Sequence, residues 1–136
     1  MNDARNLLNI LNEVKLIEPN NDVPTDPEFV YHCTNEENAA DIAHSGMIPH
    51  APSFGTDQSC WPDGRTEKRS YFGATAGSVW MFAPEHGRPV ILRIRRASAT
   101  FKKESCTGDI YCNSKIPGKA FEILTVEGWR SITSVF

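Results

Sequence analysis

The sequence has no long uninterrupted apolar stretch, no long run of basic residues and no secretion signal at its start. A helix needs about 20 consecutive apolar residues to span a bilayer, so we expect no membrane crossing. The net charge of −3 argues against a protein whose main activity is gripping a nucleic-acid backbone. Without a basic start and short apolar core, we expect a cytoplasmic protein, including one delivered into a target cell by a machine that needs no cleaved signal.

Closely spaced cysteine pairs are also missing. The four cysteines, Cys33, Cys60, Cys106 and Cys112, form no C-x-x-C motif. Structural zinc sites normally use two tight ligand pairs, so the sequence predicts no metal site. Reduced thiols are the ordinary state of cysteine in a cytosolic protein, and we expect them here.

The length of 136 residues fits one domain, and 40% apolar with 23% charged residues is an ordinary globular composition. Helical patterns dominate the first half of the chain and strand patterns the second. This order favours an α+β fold over an alternating parallel sheet. We expect residues 1–28 to form an accessory helix and linker, and residues 29–136 to form the main domain.

The apolar residues near the start recur with a helical period. Leu7, Leu11 and Val14 follow the i, i+4, i+7 spacing of an amphipathic helix. This spacing predicts a helix over residues 3–18 that Pro19 ends.

Short runs rich in β-branched and aromatic residues predict strands at 29–33, 70–72, 89–95, 110–112 and 121–126. A helix is predicted directly after the first strand. Thr34 and Glu37 have the spacing of a capping box at its start, and Gly46 stands where a left-handed C-terminal cap is expected.

The segment 49–69 is a long loop rich in proline and glycine. Loops of this length inside a compact domain are more often functional than decorative. After the strand 70–72, the sequence predicts a short helix over residues 75–83. We expect Val79, Trp80 and Phe82 to face inward from it. We also expect His44, His50 and His86 to be surface residues.

Three groups of residues that suit chemistry follow one another in a fixed order. They are Tyr31-His32-Cys33-Thr34 before the helix that ends at Gly46; Tyr71-Phe72 before Pro89-Val90-Ile91-Leu92; and Gly108-Asp109-Ile110-Tyr111 before Ile116-Pro117. This succession resembles the ADP-ribosyltransferase superfamily in its minimal bacterial and phage-type forms, and the related RNA 2′-phosphotransferases. The resemblance covers about residues 29–127. It implies a split β-sheet core with flanking helices, here with an extra N-terminal helix.

The resemblance implies a pocket for NAD, used as a co-substrate. His32 matches the histidine that hydrogen-bonds the nicotinamide-side ribose, and Tyr71 matches the tyrosine that stacks on the nicotinamide ring. Asp109 matches the acidic residue that stabilises the cationic sugar, because it precedes Ile116-Pro117 where the family usually has glutamate. Glu122 and Glu104 are the alternative acids. We expect Glu122 to point away from the core.

Further contacts to NAD are implied at Tyr31, Cys33, Thr34, Arg69 and Ser70. Cys33 stands where the family usually has a glycine whose backbone meets the nicotinamide amide, which is a departure from the pattern. Two interpretations stay open for the basic residues Arg65, Lys68 and Arg69: a solvated surface cluster, or contacts to the NAD pyrophosphate or to a phosphate on the target.

The resemblance implies an NAD-dependent ADP-ribosyltransferase that modifies a macromolecular acceptor, either protein or nucleic acid. Such a small enzyme suits a toxin, an effector or a phage-type host modifier. One alternative is an RNA 2′-phosphotransferase, for which Arg93, Arg95 and Arg96 of the strand and Arg65 and Arg69 of the loop could grip phosphates, although Tyr71 stands where that branch has histidine. Another alternative is a catalytically inactive module of the same fold that binds NAD or a partner.

Overall fold

The computed structural model of the chain describes residues 15–20, 22–51, 67–104 and 107–136. One α-helix and seven strands lie within these ranges. In chain order they are β1 (Phe29–Asn35), α1 (Glu36–Ser45), β2 (Ser70–Phe72), β3 (Pro89–Arg95), β4 (Lys102–Lys103), β5 (Ile110–Cys112), β6 (Phe121–Thr125) and β7 (Gly128–Ser131). The five strands expected from the sequence are all present.

The strands form two antiparallel sheets. The larger sheet has the order β1-β3-β6-β7, and the smaller sheet has the order β2-β5-β4. Within the described residues the backbones of the two sheets pair at one point, where Tyr31 and Gly73 exchange hydrogen bonds of 2.9 and 2.7 Å. The architecture therefore mixes helix with antiparallel sheet, as the α+β prediction requires.

The larger sheet has apolar residues on both faces, because successive side chains of a strand point to opposite sides. On one face, Val30, Leu92 and Ile94 belong to a core cluster that includes Ile42 of α1. On the other face, Tyr31 belongs to a second cluster. Within the described residues, no helix is long and apolar enough to cross a membrane.

Helix α1 begins one residue later than the capping box predicts. Asn35 is the N-cap, and its side-chain oxygen accepts a hydrogen bond of 2.7 Å from the backbone of Asn38. Thr34 is still part of β1, where it is buried and pairs with Val90. The predicted cap at Thr34 is wrong because pairing with β3 continues the strand through that residue.

Helix α1 ends with Gly46 as its C-cap, as the sequence predicts, but with ψ 172° this glycine is not in the left-handed helical conformation expected for the cap. Gly46 has φ +82°, and its N–H donates to the carbonyl of Ile42 at 2.8 Å. The chain then runs into Met47, which exchanges two backbone hydrogen bonds with Ile116. Gly46 therefore turns the chain from the helix toward the segment that follows β5.

The predicted N-terminal helix is wrong at its end, and residues 3–14 lie outside the described residues. Instead of a helical turn, Leu16 forms a backbone bridge with Thr125, and the N–H of Ile17 donates to Leu124 at 3.2 Å. Leu16 is buried in the core. The apolar spacing is compatible with burial in either conformation, and backbone partners at the end of β6 decide for the extended one.

The segment predicted as a helix over 75–83 contains a shorter 3₁₀ helix, Ser78–Phe82. Val79 is buried as expected, but Trp80 is 45% and Phe82 67% exposed, which corrects the inward orientation expected for both. A helix with three residues per turn and only five residues has a narrow contact face. One apolar residue therefore packs inward while its neighbours face solvent.

Candidate functional site

A cavity of about 840 Å³ lies where the two sheets separate. Its wall is formed by the end of β1, one side of α1, the segment after Gly46, and β2. Glu104 and Asp109 also contribute to it. Ligand sites for small molecules have volumes of this order, so the cavity is large enough for a dinucleotide.

The cavity contains both His32 and Tyr71, which are 39 positions apart. Nδ1 of His32 lies 2.8 Å from the backbone carbonyl oxygen of Tyr71. A carbonyl oxygen can only accept, so Nδ1 carries the proton and donates it. Burial lowers the pKa of His32 below its usual 6.5, partly offset by this hydrogen bond, and nearby His50 lowers it further. In the resulting neutral ring, Nε2 is a hydrogen-bond acceptor.

The hydrogen bonds between β1 and β3 extend in the same register beyond both ends of the strands. The carbonyl of Glu28 accepts from Arg96, and the N–H of Glu36 donates to Arg88, each at 2.9 Å. In an antiparallel pair, alternate residues direct both backbone groups to the partner strand. The residues of β1 with even numbers are therefore those that bind β3.

Residues of β1 with odd numbers direct their backbone groups away from β3. Tyr31 does so, and these groups bind Gly73 next to β2. Cys33 has the same orientation, but within the described ranges no backbone group pairs with it on that side. Since Cys33 lines the cavity, its N–H and C=O present one donor and one acceptor there. An extended strand is open to any residue, so a cysteine at this position costs no backbone strain.

The Cys33 side chain has no such role. It is buried on the face of the sheet that also carries Tyr31. Burial raises the pKa of the thiol to about 11, so the sulfur is protonated at neutral pH. A protonated thiol is a poor nucleophile and a poor metal ligand.

The hydroxyl of Tyr71 is bound to a buried acid and not to solvent alone. It donates to Oε2 of Glu104 at 2.6 Å, and the same carboxylate oxygen accepts from Arg69 at 2.7 Å. The other oxygen, Oε1, accepts from Thr107 at 2.9 Å. Burial, followed by the hydrogen bond to Glu104, raises the pKa of Tyr71 to about 12.

Arg69 lines the cavity, but its guanidinium is engaged by acids. Nε and one terminal nitrogen bind Glu67 at 3.1 and 2.6 Å, while the other terminal nitrogen binds Glu104. Its carbon lies 4.0 Å from the centre of the Tyr111 ring. Burial lowers the pKa of Arg69, but the hydrogen bonds to Glu67 and Tyr71 raise it more, and it stays charged. Arg69 is therefore not part of a solvated cluster.

The other members of the predicted basic cluster do not join Arg69. Lys68 is exposed and does not line the cavity. Arg65 lies outside the described residues. Neither interpretation of this cluster fits Arg69. It is buried and so is not a solvated surface residue, and its guanidinium binds Glu67 and Glu104 and so is not available to a phosphate.

The three candidate acids have different positions. Asp109 is partly buried and lines the cavity, and its carboxylate has no partner within the described ranges. Glu104 lines the cavity too, but it is buried in the interactions described above. Glu122 lies outside the cavity and pairs with Arg93 at 2.7 Å.

The remaining residues of the predicted NAD contact set are mostly used by the fold. Tyr31 is fully buried, and its hydroxyl accepts from the backbone of Asp26 at 2.7 Å. Thr34 is buried and lines the cavity. Ser70 is buried as well, and its hydroxyl has no hydrogen-bond partner within the described residues.

The arginines of the β3 end lie away from the cavity. Arg93 lies over the Phe29 ring at 3.8 Å, and Arg95 pairs with Glu28 at 3.2 Å. Arg96 donates to the carbonyl of Pro27 at 2.9 Å. These three side chains tie β3 to the residues around the start of β1.

Sequence reasoning undervalued Glu104 and passed over His50, which is exposed as expected but also lines the cavity. The sequence offers Glu104 only as an alternative acid. No local pattern marks it, because its partner Tyr71 is 33 positions away. The one signal for Glu104 in the sequence is its position close to the Gly108-Asp109 turn.

Comparisons with known proteins leave the family open. A scan of protein-family models finds none that matches this chain, and a search of curated proteins finds no relative.

Proposed function

We propose that this chain is an NAD-dependent ADP-ribosyltransferase that transfers ADP-ribose from NAD to a macromolecular acceptor. The observation that carries the proposal is the backbone of Cys33, which presents an N–H and a C=O to the cavity. A primary carboxamide has one acceptor oxygen and a donor NH₂ group. Nicotinamide, the leaving group of NAD, has such a carboxamide and would complete both hydrogen bonds.

The two neighbouring side chains suit the rest of the nicotinamide riboside. The ring of Tyr71, which lines the cavity, would stack on the nicotinamide ring. Nε2 of His32 is an acceptor, so it would bind a ribose hydroxyl that donates. The acceptor role follows from the hydrogen bond that Nδ1 donates to the carbonyl of Tyr71.

The reaction breaks the bond between C1′ of the ribose and the ring nitrogen of nicotinamide. The electron pair of that bond goes to the ring nitrogen, which leaves neutral nicotinamide. A lone pair of the acceptor forms the new bond at C1′, and the proton of the acceptor passes to water. Positive charge develops on the sugar in the transition state, and the carboxylate of Asp109 would stabilise it.

The charges on the cavity wall suit the cationic ring of oxidised NAD. Among the described residues that line the cavity, Asp41, Glu104 and Asp109 are acids and Arg69 is the only lysine or arginine. Arg69 is engaged by Glu104 and Glu67. The charges of Arg69 and Glu104 offset each other, so Asp41 and Asp109 make the net charge of this wall negative, which favours a pyridinium ring over a neutral one.

The same charges do not favour RNA 2′-phosphotransfer. That branch grips phosphates with several arginines. Of those in the described residues, Arg93, Arg95 and Arg96 do not line the cavity, and Arg69 lines it but is engaged by Glu67 and Glu104. The ring of Tyr71 also replaces the histidine expected there.

The test is nicotinamide release from NAD labelled in the nicotinamide ring, with purified protein and a cell extract as the source of acceptors. We expect release from NAD but not from nicotinic acid adenine dinucleotide. The analogue has a carboxylate in place of the carboxamide, so it lacks the donor for the Cys33 carbonyl. Binding of NAD without release would favour the inactive binding module, and equal cleavage of both dinucleotides would contradict the proposed role of Cys33.

A further inference from the structure

A connected cluster of buried polar side chains lies behind Tyr71. Glu104 and Arg69 are 6% and 4% exposed, and the distance between their charged atoms is 2.7 Å. Desolvating two such charges costs several kcal/mol each, and replacing a buried pair with apolar residues is often neutral or stabilising. Fold stability alone is therefore a weak explanation for the pair.

The backbone holds Glu104 in place independently of its side chain. Its N–H donates to the carbonyl of Asp109 at 2.7 Å, and its carbonyl accepts from Gly108 at 2.8 Å. The side chain is then fixed at both oxygens, by Thr107 at one and by Arg69 with Tyr71 at the other. The Glu104 carboxylate, which accepts the hydrogen bond from the Tyr71 hydroxyl, is therefore held in a fixed position.

Arg69 is fixed as firmly. Its backbone exchanges two hydrogen bonds with His50, at 2.8 and 3.0 Å. Glu67 holds the side of the guanidinium that faces away from Glu104. The side chain of Glu67 is itself held by Asn113 at 2.7 Å. Each member of the Arg69–Glu104 pair is thus held by further hydrogen bonds on the side away from its partner.

Tyr71 is consequently held at both ends. The hydroxyl donates to Glu104 at 2.6 Å and accepts from Arg69 at 3.5 Å, while the backbone carbonyl accepts from His32. The centre of the Tyr111 ring lies 6.2 Å from that of the Tyr71 ring, so the ring of Tyr71 has a neighbour as well as its two hydrogen-bonded ends.

We propose that Glu104, supported by Arg69, is a positioning residue that clamps the hydroxyl of Tyr71 and fixes the orientation of its ring on the cavity wall. Glu104 acts through Tyr71 and does not touch the ligand or the reacting atoms. What the ring is oriented toward rests on the proposed function, in which it supports the nicotinamide ring. A well-oriented ring matters because small misplacements in an active site cost large factors in rate.

The first arm of the test needs no NAD. Tyrosine labelled with ¹³C at Cζ reports phenol ionisation by NMR, and Tyr71→Phe identifies the Tyr71 signal. The charged groups that face this hydroxyl within the described residues are Arg69 and Glu104. In Glu104→Gln, the pKa of Tyr71 should move from about 12 toward the usual 10.0. An unchanged pKa would overturn the clamp.

The matched control is Glu122→Gln. Glu122 also pairs with an arginine at 2.7 Å, but it lies outside the cavity. It should leave the Tyr71 signal unchanged. Glu104→Asp is the second variant, because it keeps the charge beside Arg69 and withdraws the carboxylate from the hydroxyl by one methylene. It should lower the pKa of Tyr71 in the same direction by less, and no decrease would count against the clamp.

The second arm is a double-mutant cycle on nicotinamide release. Glu104→Gln should lower kcat/KM by about tenfold or more in the wild-type background, since misplaced groups cost up to about 100-fold. In a Tyr71→Phe background the same change should cost less than about twofold, because the shared hydroxyl is gone. Equal losses in both backgrounds would show that Glu104 acts on the ligand directly and would overturn the proposal.

The two arms separate the clamp from the proposed function. If the wild-type protein neither binds nor cleaves NAD, the proposed function fails, and the NMR arm still decides whether Glu104 holds Tyr71.

Discussion

At the scale of single residues, the polar groups along the cavity differ in whether the fold already provides their hydrogen-bond partners. The side chains of Glu104 and Arg69 are used by one another and by Tyr71. The carboxylate of Asp109 and Nε2 of His32 have no partner among the described residues. A ligand can gain most from groups whose hydrogen bonds the fold leaves unmade.

The first prediction concerns the acid. Asp109→Asn should leave NAD affinity nearly intact and slow nicotinamide release by about 100-fold or more, because electrostatic groups of this kind act mainly in the transition state. Single-turnover release and calorimetry with NAD separate the two effects. Glu122→Gln is the control and should be silent, since its partner is Arg93 outside the cavity. If Glu122→Gln abolished nicotinamide release while Asp109→Asn left it intact, the catalytic acid would be misassigned.

The second prediction concerns His32 and pH. Burial lowers its pKa in the fold below 6.5, so below pH 6.5 the unfolded chain binds a proton that the folded chain refuses. This contribution makes stability fall as the pH drops from about 6.5 toward the folded pKa. Urea unfolding at pH 7.5, 6.5 and 5.5 should show a smaller acid loss in His32→Gln than in the wild type. The free energy of unfolding should change with pH more steeply in the wild type than in His32→Gln, by at most about 1.4 kcal/mol per pH unit. Parallel curves would contradict a buried neutral His32.

At the scale of elements, the site depends on how short segments are joined. Helix α1 forms one side of the cavity, and Gly46 turns the chain from it into Met47. Gly46 has φ +82° and ψ 172°, a combination that is essentially restricted to glycine. A Cβ at this position would also lie 2.6 Å from the carbonyl oxygen of Ile116.

The third prediction follows from that turn. In Gly46→Ala, backbone strain costs about 1–3 kcal/mol, and the overlap with Ile116 costs about 1–3 kcal/mol more. Gly128→Ala is the matched control, because Gly128 has φ +106° but a Cβ there would meet no described atom within 4 Å. Chemical unfolding should rank Gly46→Ala clearly below Gly128→Ala. Equal losses would show that the contact with Ile116 relaxes.

At the scale of the whole molecule, the cavity exists because, within the described ranges, the backbones of the two sheets pair at one point only. Tyr31 and Gly73 pair, and beyond them β1 and β2 separate. The gap exposes backbone groups of β1 that a continuous sheet would use. The acids on its wall then set the sign of the field inside.

The fourth prediction tests that field with two small ligands of similar shape. 1-Methylnicotinamide carries the positive ring charge that nicotinamide lacks. We expect it to bind about three- to tenfold more tightly, a factor that corresponds to about 0.6–1.4 kcal/mol for a cation near an aromatic ring and acids. The preference should shrink as salt is added. NMR titrations measure both affinities, and a preference for the neutral ligand would contradict the charge argument.

The strands and the turn after α1 could be predicted from sequence. Alternation and β-branched residues identify β1 and β3, and the glycine at position 46 identifies the C-terminal cap. The grouping of His32, Tyr71 and Asp109 on one cavity was expected from the resemblance alone, and their roles remain predictions. The starting residue of α1 was wrong by one position because the cap depends on how far β3 extends the strand.

By itself the sequence determined the features that depend on neighbours in the chain: strand period, the cap at Gly46, and the absence of a closely spaced cysteine pair. Tertiary structure decided the extended path at Leu16, the outward orientation of Trp80 and the partner of Tyr71. These depend on contacts between segments far apart in sequence. The hydrophobic period of the sequence predicts which side chains are buried. Only the packing of the two sheets decides which residues those side chains contact.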